Sequence, residues 1–334
     1  MKSKVAIIGT GAYGTVLANV IAENHNQVTM YGIDRKQVED IDKNNLNKEF
    51  FGDILINKNI NATCDIKEAL NDANVVIICV PTFAIEKILE LLDKNIDHPV
   101  HIINTAKGLV GDNHNFLSKK IKNYFRDSKN IISYGGIYGP SLAKECIMKK
   151  PTCVMMANEK IEIANELAKL FINDHFYVQT TTDILGCEIA GALKNTIAIA
   201  CGIIDGFGYG DNAHACLITI GHQEICRFAK HFGAKEETFL NFATMGDLVL
   251  TASSKGSRNF SLGNSIAFND SAQKVLESHK VTVEGVLTCK LAVEIAKINN
   301  ISMPLFELMY EILYNKHKPS LGVKKIFPNS MAKY

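Results

Sequence analysis

The chain has 334 residues, of which 47% are hydrophobic and 21% are charged, and its formal net charge is +1. This balance is typical of a soluble globular protein and excludes a disordered one, while the near-zero charge gives no electrostatic basis for binding nucleic acid or an anionic membrane surface. A chain of this length exceeds one core of ordinary size, so two domains are expected.

The first half of the chain alternates short apolar runs with helical patterns, which are predicted at 13–24 and 84–94. Continuous apolar runs favour parallel strands that are buried on both faces, and their alternation with helices favours a doubly wound α/β domain. The Asn- and Lys-rich stretch 43–61 is expected to be a surface loop. Strands are predicted at 4–9, 27–33, 74–80, 100–106, 131–136, 152–157 and 176–182.

The second half of the chain is predicted to be helical. No convincing strand follows 176–182, so we expect an α/β domain at 1–184 and an all-helical domain at 185–334. Helical patterns cover 184–204, 212–232, 235–243, 272–277, 284–298 and 304–315.

The nine cysteines are spread along the chain, and their number is odd with no CxxC pair. Free thiols in a reducing cytoplasm are therefore predicted. His222 and Cys226 could share a helix face as metal ligands, but no second such pair stands nearby, so no metal is predicted. Glycines break the first apolar run too early for a signal peptide, and no stretch approaches the roughly 20 apolar residues of a membrane span.

Gly9, Gly11 and Gly14 form a GxGxxG motif between the first predicted strand and the first predicted helix. Glycines in this position allow a tight turn, close approach of a pyrophosphate to the backbone, and close packing of helix on strand. The helix N-terminus adds free N–H groups that suit phosphates. The motif predicts a Rossmann-like dinucleotide-binding domain at 1–184; a structural glycine turn without a nucleotide is the alternative.

Two charged residues follow the second predicted strand. Asp34 stands 20 residues after Gly14, where a carboxylate would accept hydrogen bonds from the adenosine ribose of NAD(H). The neighbouring Arg35 could instead hold the 2′-phosphate of NADP(H), or both residues could be solvated turn charges. Pro81, at the carboxyl end of the strand predicted at 74–80, is expected to form a second wall of the cofactor site.

Four further stretches carry charged or polar side chains suited to a small phosphate. NTAKGL puts Lys107 just after a strand, and YGPSLAKE puts Ser141 at a helix N-cap position. GALKN places Lys194 among small apolar residues, and MGDLVLTASSKGSRNFSLG carries Asp247 and Arg258. Taken alone, each charge could be a solvated surface, turn or capping residue.

Together these motifs resemble the bacterial-type NAD(P)-dependent glycerol-3-phosphate dehydrogenases, and the resemblance runs over nearly the whole chain. Seven motifs occur in the order of that family: GTGAYG, NTAKGL, YGPSLAKE, EIAGALKN, GDLVLT, SRNFSLG and VEGVLT. The resemblance implies reversible, NAD(P)H-dependent reduction of dihydroxyacetone phosphate to sn-glycerol 3-phosphate, which supplies phospholipid synthesis in the cytoplasm.

The resemblance also implies roles for individual residues, and it implies no metal. The proton donor and acceptor of the family falls on Lys194, with Lys107 and Asp247 in the same catalytic group. Substrate contacts fall on Lys107, Gly139, Ser141, Lys194, Asp247, Ser257, Arg258 and Asn259. Cofactor contacts fall on Ala12, Tyr13, Lys107, Ala143, Arg258 and Glu284, in addition to the glycines, Asp34, Arg35 and Pro81.

Two positions depart from the pattern of the family. Tyr13 stands where the family often has tryptophan. Ile33 stands at the end of the second strand, where many relatives have arginine or histidine, and it is followed by Asp34 and Arg35. The second departure puts a preference for NADP(H) in doubt.

The chemistry of the implied reaction agrees with these residue types. Hydride addition to a ketone builds negative charge on its oxygen, so a positioned cation and an acid lower the barrier. Burial and the charge of Lys107 would lower the pKa of Lys194 from about 10.4, and Asp247 would oppose that change. Arg258 offers a planar fork that suits a phosphate dianion.

Two rival hypotheses remain. A related β-hydroxyacid or sugar-acid phosphate dehydrogenase also pairs a Rossmann domain with a helical domain, and SRNFSLG with GDLVLT discriminates against it. A sensor that binds NAD without turnover would not need Lys107, Lys194 and Arg258 together. The helical domain could also support a homodimer.

Overall fold

The computed structural model describes residues 3–110, 116–278 and 283–331 of the chain. It contains two compact units, and each has its own hydrophobic core. The first unit is Met1–Ala106 with Ser118–Ile184, and the second is Lys107–Leu117 with Leu185–Tyr334. The segment that begins at Lys107 therefore belongs with the helical unit.

The first unit is built on one eight-stranded sheet. Its strands are β1 (Lys4–Ile8), β2 (Gln27–Tyr31), β3 (Ile60–Thr63), β4 (Val75–Ile78), β5 (Val100–Asn104), β6 (Ile131–Tyr138), β7 (Thr152–Asn158) and β8 (Phe176–Thr181). Their order is β3-β2-β1-β4-β5-β6-β7-β8, so the winding reverses between β1 and β4. All neighbouring pairs are parallel except β6 and β7. This sheet confirms the predicted doubly wound α/β class.

The sheet differs from the prediction in two places. Strand β3 was not predicted, because it has only four residues, INAT, with too little apolar pattern to stand out. The expected surface loop at 43–61 is wrong, since a helix at Lys48–Phe51 and the start of β3 lie within it and Asn47 and Phe51 are buried. Strands β6 and β7 are antiparallel, although a parallel series was expected. The connection between them contains a helix of only five residues, Ala143–Ile147. Mixed sheets are common, and a continuous apolar run does not reveal the direction of its strand, so the sequence pattern did not indicate this reversal.

At least one helix lies between each pair of consecutive strands in this region. The first, α1, is buried continuously from Gly14 to Ala22, which accounts for its apolar composition. The remaining helices have between 4 and 11 residues, and a 3-10 turn lies at Thr82–Ala84. The helices are α1 (Ala12–Glu23), α2 (Arg35–Asn44), α3 (Lys48–Phe51), α4 (Ile66–Leu70), α5 (Ile85–Asn95), α6 (Leu117–Tyr124), α7 (Ala143–Ile147) and α8 (Ile161–Ala168).

The described residues of the second unit form helices and no named strand, as predicted. The helices are α9 (Ile184–Gly206), α10 (Gly210–His231), α11 (Asp247–Ser253), α12 (Arg258–Asn269), α13 (Ala272–Ser278), α14 (Glu284–Ile298), α15 (Pro304–Tyr314) and α16 (Pro319–Met331). The helix predicted at 235–243 is instead a 3-10 helix, Glu236–Leu240, followed by a π-helical turn, Phe242–Gly246. Helices α11, α12 and α16 were not predicted.

Helix α9 is long and apolar enough to cross a membrane, because an 18-residue window within it has a mean hydropathy of 1.5. The sequence expectation that no stretch approaches such a length is wrong for this helix. The whole window is buried inside the protein, as in the core helix of a soluble domain. Its apolar residues therefore pack against other helices of the second unit.

Helices α9 and α12 cross at glycines. A Cβ added to Gly202 would lie 2.0 Å from the carbonyl oxygen of Phe260, and one added to Gly263 would lie 2.1 Å from the carbonyl oxygen of Ile199. Neither distance is tolerable for a real side chain, so the two backbones touch only because both residues are glycine. This crossing fixes the N-terminus of α12, which carries Arg258, relative to the helix that carries Lys194.

Candidate active site

The glycine-rich turn in the first unit has the geometry of a dinucleotide cradle. Gly9 has φ +121°, and a Cβ there would lie 2.4 Å from the carbonyl oxygen of Cys79; a Cβ at Gly14 would lie 2.5 Å from the oxygen of Gly9. In contrast, a Cβ at Gly11 would meet nothing within 4 Å. Gly9 and Gly14 thus serve the turn itself, whereas the open face at Gly11 leaves space for a ligand to approach the backbone.

The start of α1 completes this cradle. Gly11 is its N-cap and supplies no side chain, and its first turn contains no acidic residue. Ala12 and Tyr13, the first two helical residues, therefore offer backbone N–H groups at the positive end of the helix. This donor set fits a pyrophosphate. Pro81 lies two residues after Cys79, whose carbonyl oxygen packs against Gly9.

The residues after β2 begin a new helix. Asp34 is the N-cap of α2, and its Oδ1 accepts hydrogen bonds from the backbone N–H of Lys36 at 2.9 Å and of Gln37 at 3.3 Å. Arg35 is the first residue of α2, and both Asp34 and Arg35 are exposed. Asp34 therefore caps a helix, a role that the sequence analysis did not assign to it, and its carboxylate stays after the strand end where a ribose is expected.

The GPS turn lies after β6. Gly139 has φ +146°, and a Cβ there would lie 2.9 Å from the Cα of Val154, so glycine is required. The hydroxyl of Ser141 is within 3.2 Å of both the Tyr13 hydroxyl and the carbonyl oxygen of Gly139. The expectation that Ser141 caps a helix is wrong: the N-cap of α7 is Leu142, and no side chain caps it. Ala143 is the first residue of α7.

A buried ionic cluster occupies the second unit. The carboxylate of Asp247 accepts from Lys194 Nζ through Oδ1 at 2.5 Å and from Lys107 Nζ through Oδ2 at 2.8 Å. Lys194 is only 5% exposed and Asp247 only 2%. Lys194 therefore does not extend into solvent, and the surface alternative for it does not hold.

The charges in the cluster shift one another's pKa values. Burial lowers the pKa of Lys194 to about 8; Asp247 opposes the shift and Lys107 reinforces it. Glu284, at the start of α14, also favours the charged amine. For Asp247, burial acts to raise the pKa, but the two lysines together hold it below its ordinary value. The cluster therefore contains a carboxylate that stays ionised and an amine that titrates near neutral pH.

Thr251 belongs to the same cluster and was missed in the sequence. Its hydroxyl accepts from Lys194 Nζ at 2.6 Å and donates to the carbonyl oxygen of Asp247 at 2.6 Å. Thr251 stands four residues after Asp247 in GDLVLT, and residues four apart lie on the same face of a helix. This spacing was the sequence signal that could have identified Thr251. The threonine holds the amine from a second side.

The SRN segment begins α12 rather than lying in a loop. Ser257 is the N-cap, and its Oγ accepts from the N–H of Phe260 at 3.4 Å. Asn259 donates to Oδ1 of Asn195 at 3.0 Å and accepts from the N–H of Gly285 at 3.1 Å. Asn259 thus connects α12 to α9, beside Lys194, and to the start of α14, beside Glu284.

Arg258 is the first residue of α12 and is exposed. Its guanidinium forms neither a hydrogen bond nor an ion pair with any residue that the structure describes. Its guanidinium and the N–H groups of the first turn are available to an anion.

The His222–Cys226 pair does not gather further ligands. His222 Nε2 lies 2.8 Å from the carbonyl oxygen of Phe239, and no group of three or more His, Cys, Asp or Glu side chains suited to a metal occurs within residues 3–110, 116–278 and 283–331. All nine cysteines lie in these ranges and are free thiols.

The doubly wound sheet, the open glycine turn and the lysine cluster together define a dehydrogenase of the nicotinamide-dinucleotide class. Models of the N-terminal and C-terminal domains of NAD-dependent glycerol-3-phosphate dehydrogenase match residues 4–164 and 183–324. The chain belongs to this family.

Individual relatives agree with this assignment. A glycerol-3-phosphate dehydrogenase (NAD(P)+) of Mesoplasma florum is 52% identical, covering 98% of both chains. Another, of Clostridium botulinum, is 37% identical over 97% of both chains. The crystal structure of the Coxiella burnetii glycerol-3-phosphate dehydrogenase superposes with a TM-score of 0.88 at 29% identity, covering 98% of this chain and 99% of that one.

Proposed function

We propose that this chain catalyses the reversible reduction of dihydroxyacetone phosphate to sn-glycerol 3-phosphate with NADH or NADPH. The observation that carries the proposal is the buried cluster in which Lys194 and Lys107 share the carboxylate of Asp247. Membership of the glycerol-3-phosphate dehydrogenase family supports the choice of substrate.

The cofactor would be held by the glycine-rich turn and the first N–H groups of α1. The bound nicotinamide supplies a hydride to the carbonyl carbon in reduction and accepts one in oxidation. The donor set suits the pyrophosphate, since Gly11 is open and no carboxylate stands in the first turn.

Lys194 is the proposed acid and base. In reduction its ammonium gives a proton to the carbonyl oxygen as that oxygen becomes an alcohol. In oxidation the neutral amine takes the alcohol proton. A pKa of about 8 lets both forms be populated near neutral pH, which general acid–base catalysis requires.

Lys107 and Asp247 set the charge around the reacting oxygen. Asp247 holds both lysines in place, and because two cations share one carboxylate, the cluster keeps an excess of positive charge. This excess stabilises the negative charge that develops on the oxygen during hydride transfer. Arg258 and the start of α12 are proposed to bind the phosphate, while Ser257 and Asn259 hold that helix start in shape.

The test is turnover followed by the absorbance of the reduced cofactor, with dihydroxyacetone phosphate as substrate. Lys194→Met removes the amine and keeps the apolar stem, and we expect kcat to fall by at least about a hundredfold, which is the usual value of a general acid. Lys274→Met, an exposed lysine of α13, is the matched control and should keep full activity. Turnover of a β-hydroxyacid in place of the phosphate would support the rival dehydrogenase class instead.

The wider setting follows from the same proposal. The product would supply phospholipid synthesis, and nine free cysteines support a cytoplasmic location. A homodimer is supported by large apolar side chains exposed on the second unit, such as Phe268 at 91% and Ile298 at 80%, and sedimentation equilibrium would give its mass.

A further inference from the structure

A cavity of about 430 Å³ opens in the first unit beside the residues that follow β2. Side chains of α2, of α3 and of their N-cap residues line it, among them Asp34, Gln37, Asn47 and Glu49. Asp34 stands where the adenosine ribose of a dinucleotide is expected, so this cavity lies at the adenosine end of the proposed cofactor site. No sequence motif indicated a role for Glu49.

Glu49 is tied to the glycine-rich turn through one side chain. The carboxylate of Glu49 accepts from Gln37 Nε2 at 2.8 Å. The amide oxygen of the same Gln37 accepts a short hydrogen bond from the hydroxyl of Thr10, which lies between Gly9 and Gly11. The glutamine thus holds a carboxylate in a fixed direction at the wall of the cavity.

Asn47 supplies a second, independent sign of a ligand. Its side chain is 0% exposed, and its amide nitrogen donates to the carbonyl oxygen of Thr10 at 2.9 Å and to the hydroxyl of Thr15 at 2.8 Å. Its amide oxygen is buried and has no partner among the described residues. Buried acceptors are rarely left unpaired, so a hydrogen-bond donor is expected there. A ribose hydroxyl is such a donor, whereas a phosphate dianion is not.

The charge around the cavity also favours a ligand with hydroxyl groups over one with a phosphate. Carboxylates outnumber ammonium groups in its lining: Asp34, Glu39, Asp40 and Glu49 against Lys36 and Lys48. Arg35, the residue best suited to a 2′-phosphate, is not among the lining residues. A dianion placed here would meet net repulsion, while hydroxyl groups would meet acceptors.

We propose that Glu49, together with Asp34, is a specificity residue that makes the chain select the dinucleotide without a 2′-phosphate, NAD(H), over NADP(H). The two carboxylates accept hydrogen bonds from the ribose hydroxyls and repel a phosphate at that position. This inference rests on the proposed function, because it takes the glycine-rich turn to hold a nicotinamide dinucleotide.

The test measures binding without turnover. Isothermal titration calorimetry would compare ADP-ribose with 2′-phospho-ADP-ribose, which differ only in the phosphate and lack the nicotinamide. We expect the wild-type chain to bind ADP-ribose at least about tenfold more tightly, a ratio that corresponds to a free-energy difference of about 1.4 kcal/mol.

Two conservative variants assign the selectivity to these carboxylates. Glu49→Gln keeps the shape of the side chain, and Asp34→Asn keeps an oxygen that caps α2; each should reduce the ratio of affinities about threefold or more. Glu90→Gln, an exposed residue of α5 outside the cavity, should leave the ratio unchanged.

The outcomes separate the two proposals. Equal affinities in the wild-type chain, tighter binding of the phosphorylated nucleotide, or an unchanged ratio in Glu49→Gln would overturn the proposal and leave the proposed reaction standing. Failure of both nucleotides to bind would overturn both.

Discussion

Asp247 is the residue that allows the two lysines of the cluster to be held together. Burying an ammonium is costly unless a counter-charge and hydrogen bonds accompany it, and Asp247 with Thr251 provides both for Lys194. Burial lowers the pKa of Lys194 to about 8, because Asp247, which is shared with Lys107, compensates for the burial only in part. The same incomplete pairing provides positive charge for catalysis and costs folding stability.

The titration of Lys194 predicts opposite pH profiles for the two directions. Reduction uses the ammonium, so kcat for reduction should fall as pH rises through about 8; oxidation uses the neutral amine, so its kcat should rise through the same range. Asp247→Asn removes a charge that raises this pKa and should move both inflections to lower pH. Lys107→Met removes a charge that lowers it and should move them to higher pH.

Measuring kcat at saturating substrates across pH, in both directions, tests this assignment. Inflections that stay in place in both variants would show that another group titrates.

The low pKa of Lys194 also predicts how stability depends on pH. Between pH 8 and the ordinary pKa of a lysine, the unfolded chain binds more protons on this residue than the folded chain does. The contribution of Lys194 to the free energy of unfolding should therefore rise with pH across that window.

Among individual residues, the sequence indicated the charged members of the candidate site more readily than their neutral partners. Lys107, Lys194 and Asp247 were singled out because a charge in an apolar setting is conspicuous in a sequence, and the fold brings the three together. Thr251 and Asn47 were missed because a threonine or an asparagine is common everywhere, and only the folded chain reveals which ones are buried beside a site.

Among the elements, the crossing of α9 and α12 has the strictest steric requirement. Alanine in the middle of an exposed helix is better than glycine by about 1 kcal/mol. At Gly263 the added Cβ would lie 2.1 Å from the carbonyl oxygen of Ile199, which forces the helices apart. Overpacking of this kind costs about 1–3 kcal/mol or more, so the clash should outweigh the gain in helix propensity.

Gly263→Ala should therefore lower the free energy of unfolding, measured by urea titration, and should raise the KM for dihydroxyacetone phosphate because the start of α12 moves with Arg258. Gly256→Ala is the control for stability, since the nearest atom to its Cβ would be 3.4 Å away. A Gly263→Ala chain as stable as the wild type would mean that the two helices separate at no cost.

Elements were predicted where one pattern dominated. The apolar strands β1, β4 and β5 and the long helices α9, α10 and α14 were found at nearly their predicted bounds. Helix α12 was missed because its first residues, Ser257 to Asn259, have the composition of a loop; the serine is a cap, and the helix is stabilised by its contact with α9 rather than by its own propensity.

In the whole molecule, the glycine turn with its cavity belongs to the first unit, and the lysine cluster with Arg258 belongs to the second. Each unit has its own hydrophobic core. The sequence predicted two domains from length and from the change of pattern near residue 184. It did not indicate that 107–117 belongs with the helical unit, because that membership depends on contacts made far along the chain, such as that of Lys107 with Asp247.

This division predicts that the adenosine half of the cofactor stabilises the protein without help from the catalytic lysine. A ligand that binds only the folded form at about a hundred times its Kd adds about 2.7 kcal/mol to the free energy of unfolding. ADP-ribose should therefore raise the melting temperature in calorimetry, and Lys194→Met should keep the full increase even though it loses turnover. Asp34→Asn, which changes the first unit at the ribose, should reduce the increase. Loss of the stabilisation in Lys194→Met would mean that the second unit contributes to adenosine binding, because the variant leaves every residue of the glycine turn and its cavity intact.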